Sequence, residues 1–279
     1  MALKILSQNA LDGFSDAATA EEFITLVDRV RPDVAIFPEA YEVADSAGVD
    51  AACARLAALG YDVSCGSYDD TDGRKDLHGL ICLVRKDLTD PARSCRLTRL
   101  GSRNAAEGWL KDPATGRTVH FYGVHLNDRS EALRQKELDD LLGKVVADEP
   151  TVVMGDLNSL HHEDARGRQI WIARLFATLV RLKLWPISEP VNARRPKKGL
   201  GRIGSLSQRL TEMASGKTLQ RLEAAGFTDA DAQHRLTFPA KAPFAQLDHI
   251  MVSREITAKT CSVLPRGSSD HLGILAEID

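Results

Sequence analysis

Apolar runs of strand length recur along this chain, and they are joined in two ways, some by amphipathic helices and others by tight turns. A helical crossover can leave its two strands parallel, whereas a tight turn makes them antiparallel. The use of both argues for mixed sheets over a purely parallel one.

Leu3 to Gln8 reads as the first strand, and Thr19 with Glu22 makes a capping box that opens an amphipathic helix ending near Arg31 and Pro32. Asp33 to Phe37 follows as a strand, with Glu39 just beyond it. Ala51 to Leu59 is an Ala-rich helix stopped by Gly60, and Tyr61 to Cys65 and Gly79 to Val84 are further strands. Asp112-Pro113-Ala114-Thr115-Gly116 is a hairpin turn between a strand near Trp109 and another over Thr118 to His125. Ser130 to Val146 reads as a charged helix with Leu133, Leu138, Leu141 and Leu142 inward, and Thr151 to Met154 as a buried strand. A helix around Leu219 to Ala225 precedes two last strands, Leu247 to Val252 and Gly273 to Ile278.

The 279 residues are 43% hydrophobic and 27% charged, which places the chain among ordinary globular proteins able to bury a core, not among collagenous or disordered ones. The five cysteines are odd in number and form no Cys-x-x-Cys pair, so they read as reduced thiols of an intracellular protein. The start of the sequence lacks the apolar run of a secretory signal, and no stretch reaches the roughly 20 apolar residues of a membrane-spanning helix. A cytoplasmic location is therefore expected. The formal net charge of −3 argues against a basic nucleic-acid binder, but it hides a segregated pattern. Residues 161–221 carry +9 and the remainder −12.

Polar residues stand where strands end, which is where α/β proteins place binding and catalytic groups. Asn9 follows the first strand, Glu39 the second, and His125 ends a third. Asp156 and Asn158 follow Val152-Val153-Met154-Gly155, Asp248 opens a late strand, and Asp270-His271 precedes the last one. Each alone is the kind of residue that turns a chain or caps a strand. Together they form an ordered set.

That set resembles the endonuclease/exonuclease/phosphatase superfamily, whose members include DNase I-like nucleases, abasic-site endonucleases, neutral sphingomyelinases, inositol-phosphate phosphatases and deadenylases. The matching residues are Gln8-Asn9, Pro38-Glu39, Val124-His125-Leu126-Asn127, Gly155-Asp156-Leu157-Asn158, Leu247-Asp248-His249-Ile250 and Ser269-Asp270-His271. The resemblance implies an α/β fold (α+β), a four-layer α-β-β-α sandwich of two mixed sheets in a single domain over 1–279; it leaves out a basic helical insert at about 161–217, which the break in strand rhythm and the charge mark. It implies a phosphoester hydrolase in which water attacks in line.

Such chemistry needs an activated water, a counter-charge for phosphoryl oxygens and help for the leaving oxygen. Glu39, the amide oxygen of Asn9 and Asp270 offer hard oxygen ligands, which suit Mg²⁺ or Mn²⁺ and not zinc. His271 is the candidate general base, and in the family an Asp, here Asp248, orients it from its other nitrogen. Asp156 would align or deprotonate the water, and Asn158 and His125 would donate to phosphoryl oxygens. His78 stands where relatives often carry a small polar residue near the cleft. His161 and His162 read as exposed loop histidines, and His249, inside a strand, as structural.

The insert leaves room for three readings. Residues 166–185 have helical periodicity that suits either a helix packed on the domain or one resting on an anionic membrane surface. Arg194, Arg195, Lys197 and Lys198 suit a polyanion near the cleft. The expected partner is a phosphoester, in nucleic acid, phospholipid or a small phosphate ester, taken by a monomer. A sphingomyelinase-like lipid phosphodiesterase is one alternative, and a non-catalytic phosphate-binding scaffold another.

Overall fold

The computed structural model of the chain describes residues 2–43, 46, 48–67, 78–89, 95–101, 103–112, 115–161 and 212–279. Two six-stranded sheets dominate them. The first is built from β1 (Leu3–Ser7), β2 (Val34–Glu42), β3 (Tyr61–Ser67), β4 (His78–Arg85), β11 (Ala258–Val263) and β12 (Ile274–Ile278), in the order β11-β12-β1-β2-β4-β3. The second holds β5 (Arg96–Leu100), β6 (Arg103–Lys111), β7 (Thr118–His125), β8 (Thr151–Asp156), β9 (Phe227–Asp229) and β10 (Asp248–Ser253), in the order β5-β6-β7-β8-β10-β9. Both sheets are mixed: β1 runs parallel to β2 and β7 parallel to β8, while the other neighbours are antiparallel.

Each parallel pair brackets a helix, as the connection rule requires. Helix α1 (Ala17–Val30) joins β1 to β2 and α3 (Glu131–Leu142) joins β7 to β8; α2 (Val49–Ala58) and α4 (Lys217–Ala224) pack beside them. Ile5, Ile36 and Cys82 of one sheet meet Phe121, Met154 and Ile250 of the other in a shared core. Phe14, Phe23 and Leu56 pack under the outer face of the first sheet, and Leu138, Leu141, Leu219 and Leu222 under that of the second. The layers therefore run helix, sheet, sheet, helix. Among the described residues no helix is long and apolar enough to cross a membrane.

Several local expectations change. Helix α1 starts three residues earlier than the Thr19-Glu22 box implies. Asp16 caps it, accepting from the amides of Ala18 and Thr19, because its extended backbone aims the carboxylate at those free N–H groups. Pro38 reads as the end of the second strand, yet β2 continues to Glu42 through a register shift between Phe37 and Tyr41. A bulge tolerates the missing proline N–H, and it carries Glu39 inside the strand at φ 45°. The short strands β5, β9 and β11 escape the periodicity because their exposed faces are polar and their runs brief. Leu133 is only partly buried, while Glu131, Arg134 and Glu137 face inward instead. His161 is buried, pairing with Glu223 at 2.8 Å. His249 is structural as expected, bonded to Asp229 at 2.7 Å. All five cysteines are free thiols.

The membrane-helix reading of 166–185 and the cluster Arg194, Arg195, Lys197 and Lys198 lie outside the described residues, as does His162. At the base of the insert, Leu160 N–H donates to the carbonyl of Met213 at 3.0 Å, so the chain leaves and rejoins the fold at one place.

Gly155 in β8 is the tightest backbone position. At φ 140°, a Cβ would lie 1.8 Å from the Val124 carbonyl oxygen. Gly155→Ala should cost about 3 kcal/mol in urea denaturation. Gly116, at φ 70° with nothing within 4 Å of its added Cβ, should tolerate alanine for about 1 kcal/mol. Equal losses at the two positions would refute this packing.

Candidate active site

The site is assembled by strand register. His125 at the end of β7 is the partner of Asp156 at the end of β8, and Asp156 is the partner of Asp248 at the start of β10. Three polar side chains thus stand in one row across three neighbouring strands. The first sheet supplies the rest from the facing edge: Asn9 just past β1, Glu39 on the bulge of β2, and Asp270-His271 just before β12. A parallel strand arrives at this end and an antiparallel neighbour departs from it, so the mixed topology brings all of them together.

His271 is the hinge between the two sets. Its Nδ1 lies 2.8 Å from Asp248 Oδ2, and its Nε2 lies 3.8 Å from Asp156 Oδ2. Burial works against a charge on the imidazole, but the adjacent carboxylate of Asp248, with Asp156 and Asp270 behind it, overrides this and raises the His271 pKa to about 10. Asp248 itself is fully buried. Asp156 is buried too, and desolvation, with Asp248 nearby, raises its pKa to about 7 although His271 opposes the shift. Its oxygens are held on both sides: Oδ1 accepts from the Asn158 amide at 2.9 Å, and Oδ2 from Asn9 Nδ2 at 3.1 Å.

His125 Nε2 lies 3.7 Å from Glu39 Oε1 and 3.8 Å from Asp156 Oδ2. Burial first, then the Arg103 guanidinium, holds its pKa well below the ordinary value, so the ring is neutral near pH 7. Asn158 takes up a left-handed φ of 49° and donates through Nδ2 to the Leu126 carbonyl at 2.9 Å. Asn9 Oδ1 already accepts from Leu11 N–H at 3.1 Å, so it can reach a cation only through its remaining lone pair. His78 stands beside this group, its Nδ1 2.6 Å from Asp12 Oδ1.

Residues to which the sequence assigned no role of their own hold this arrangement in place. Ser269 Oγ donates to the Asn9 carbonyl at 2.7 Å and accepts from the His271 amide at 3.0 Å, tying the end of β1 to the turn that carries His271. The Phe238 ring packs on His271 with centroids 4.8 Å apart. Arg103 donates to the carbonyls of His125 and Leu126, both at 3.0 Å, and fully buried Arg134 donates to that of Asn127 at 2.6 Å. Glu137 accepts from the Asn127 amide at 2.8 Å. The one sequence signal for these is the charge of Glu131, Arg134 and Glu137 on the same side of α3 as Leu138 and Leu141. Leu11, Asp12, Glu39 and Asn158 all hold positive φ here, so backbone strain gathers at this end.

Among the described residues, two groupings at this site are chemically able to hold a cation. Asp156, Asp248 and His271 offer ligand atoms within 4.8 Å of one another. In that group the His271 nitrogen facing Asp248 is engaged in a hydrogen bond, which suits a proton relay better than a metal. Glu39 and Asp270 fit a divalent ion better. Desolvation raises the pKa of both, Asp270 adds to the shift at Glu39, and Asp270 Oδ1 is buried with no hydrogen-bond partner. Two desolvated carboxylates near each other, one with an unspent oxygen, match a hard cation such as Mg²⁺ or Mn²⁺.

A profile of the Endonuclease/Exonuclease/phosphatase family matches residues 6–271. No curated protein matches the sequence. Among solved structures, D. rerio TDP2 complexed with single strand DNA product is similar over 100% of this chain and 99% of its own, at TM-score 0.59 and 17% identity. The Bacteroides thetaiotaomicron mannosyl-6-phosphatase Bt3783 is similar over 99% of each chain, at 0.60 and 14%. The human Nocturnin catalytic domain is similar over 100% of this chain and 93% of its own, at 0.58 and 15%. At these identities the likeness concerns the fold.

Replacing Asp248 by Asn removes the charge that keeps His271 protonated. Titration of the metal-free protein by NMR should show the His271 pKa fall from about 10 by more than one unit, towards 6.5. A folded value above the unfolded one means that the stability His271 contributes is full below about pH 6.5 and lost as pH rises towards 10. Asp248→Asn should therefore destabilise more at the acid end of that window than at its alkaline end. An unchanged His271 titration would mean that Asp248 does not set its charge.

Proposed function

We propose that this chain, which belongs to the endonuclease/exonuclease/phosphatase family, hydrolyses phosphoesters with the help of a divalent metal by in-line attack of water. The observation that carries the reading is the His125, Asp156, Asp248 row with His271 set between Asp248 and Asp156. Such a row supplies a proton acceptor, a cation and neutral donors within one buried cluster.

Asp156 is the better proton acceptor of the two candidates. A carboxyl that titrates at about 7 is half ionised near neutral pH, which is where a general base works best. His271, raised to about 10, is then an imidazolium held by Asp248, and it neutralises charge that develops on the phosphoryl oxygens. Neutral His125 and the second amide hydrogen of Asn158 donate to those oxygens. Glu39 and Asp270, with the free lone pair of Asn9, would hold Mg²⁺ or Mn²⁺. The ion supplies Lewis-acid polarisation of the phosphoryl group.

The substrate is a phosphodiester or phosphomonoester. Fold relatives of both kinds support that breadth, one holding a single-strand DNA product and another being a mannosyl-6-phosphatase. A scaffold that merely binds phosphate would not need a desolvated carboxylate poised at neutral pH.

Hydrolysis of bis(p-nitrophenyl) phosphate should require Mg²⁺ or Mn²⁺ and disappear with EDTA. Asp156→Asn and His271→Ala should each lower kcat by about 10³-fold. Activity that persists in EDTA, or in either variant, would sink the mechanism. Side-by-side rates on p-nitrophenyl phosphate then divide diesterase from monoesterase.

A further inference from the structure

Four of the five cysteines meet in pairs. Cys82 of β4, which is buried, and Cys95 just before β5, which is half-buried, are hydrogen-bonded to each other. Cys53 of α2 and Cys65 of β3 form the more open pair: Cys53 is half-buried and Cys65 exposed. Their sulfurs lie 3.0 Å apart, about 1 Å beyond a disulfide bond length of about 2.05 Å. β3 is the edge strand of its sheet, and α2 packs on it from the outer layer. Cys261 lies on β11, at the opposite edge of the same sheet.

We propose that Cys53 and Cys65 are a redox-active thiol pair that closes into a disulfide between α2 and the edge strand β3, with a low-molecular-weight disulfide as oxidant. Neither side chain must cross the molecule to form the bond. A thiolate on either sulfur is held by the S–H of the other at 3.0 Å, the arrangement that favours attack. The thiolate attacks one sulfur of the oxidant, forming a mixed disulfide and expelling the other half as a thiolate. The second cysteine then loses its proton and displaces the remaining half. Two protein thiols are oxidised by two electrons, and the oxidant leaves as two thiols carrying the protons the cysteines gave up. Buried Cys82 is shielded from the same reagent and serves as an internal control.

The test uses the folded wild-type protein with oxidised glutathione, quenched with N-ethylmaleimide and digested without reduction. The expected result is a peptide pair linked through Cys53 and Cys65, with Cys82 modified by N-ethylmaleimide only when the protein is denatured. Dithiothreitol should restore both thiols, and Cys65→Ser should leave Cys53 as a glutathione adduct. The proposal falls if Cys53 and Cys65 remain alkylatable after oxidant, if each carries its own glutathione, or if Cys82 and Cys95 link as readily.

Discussion

A carboxylate with no access to water has to find its counter-charge inside the protein. Asp248 finds it in His271 at 2.8 Å, and that one contact fixes much of the surrounding structure. It requires the start of β10 to face the turn before β12, two elements in different sheets. Ser269 sets that turn by bonding both the Asn9 carbonyl and the His271 amide, and Thr237 Oγ1 sets the other side by accepting from the Leu247 amide at 3.1 Å. The two sheets are thus locked at the site by polar bonds of fixed direction and elsewhere by apolar contacts that have none.

The sheet topology explains why these groups share one end. Asp156 is a strand terminus for a parallel neighbour, β7, and for an antiparallel one, β10. One row of backbone register therefore serves both His125 and Asp248. The bulge in β2 does the equivalent work in the first sheet, turning Glu39 to within 3.7 Å of His125. Behind them, Arg103 and Arg134 hold the segment from His125 to Asn127 by its carbonyls, so the donor side of the site is set by buried guanidinium groups.

Much of this was legible in the sequence because strand ends leave a double trace, an apolar run and then a polar residue. Asn9, His125 and Asp156 carry that trace, Asp248 and His271 carry its mirror image before an apolar run, and the order of these motifs points to the layered fold. Glu39 was legible for the wrong reason. Pro38 reads as a stop, but a bulge absorbs it, and local pattern does not distinguish the two. Asp12 and Phe238 left no trace, since each matters only through contact with a residue far away in the chain. Arg134 was misleading: a charged residue on a helix ordinarily faces water, and here its guanidinium lies inside, donating to the Asn127 carbonyl and paired with Glu131. The charge relations at the site, with Asp156 raised and His125 lowered, depend on burial by both sheets and have no counterpart in composition.

The hydrogen bond between Leu160 and Met213 has an architectural consequence. Chain that departs and returns through adjacent backbone groups places little geometric demand on its own length, because the cost of closing a loop grows slowly with the number of residues in it. Descent can lengthen, trim or recompose such a stretch while the frame that bears Asp156 and Asp248 keeps its register.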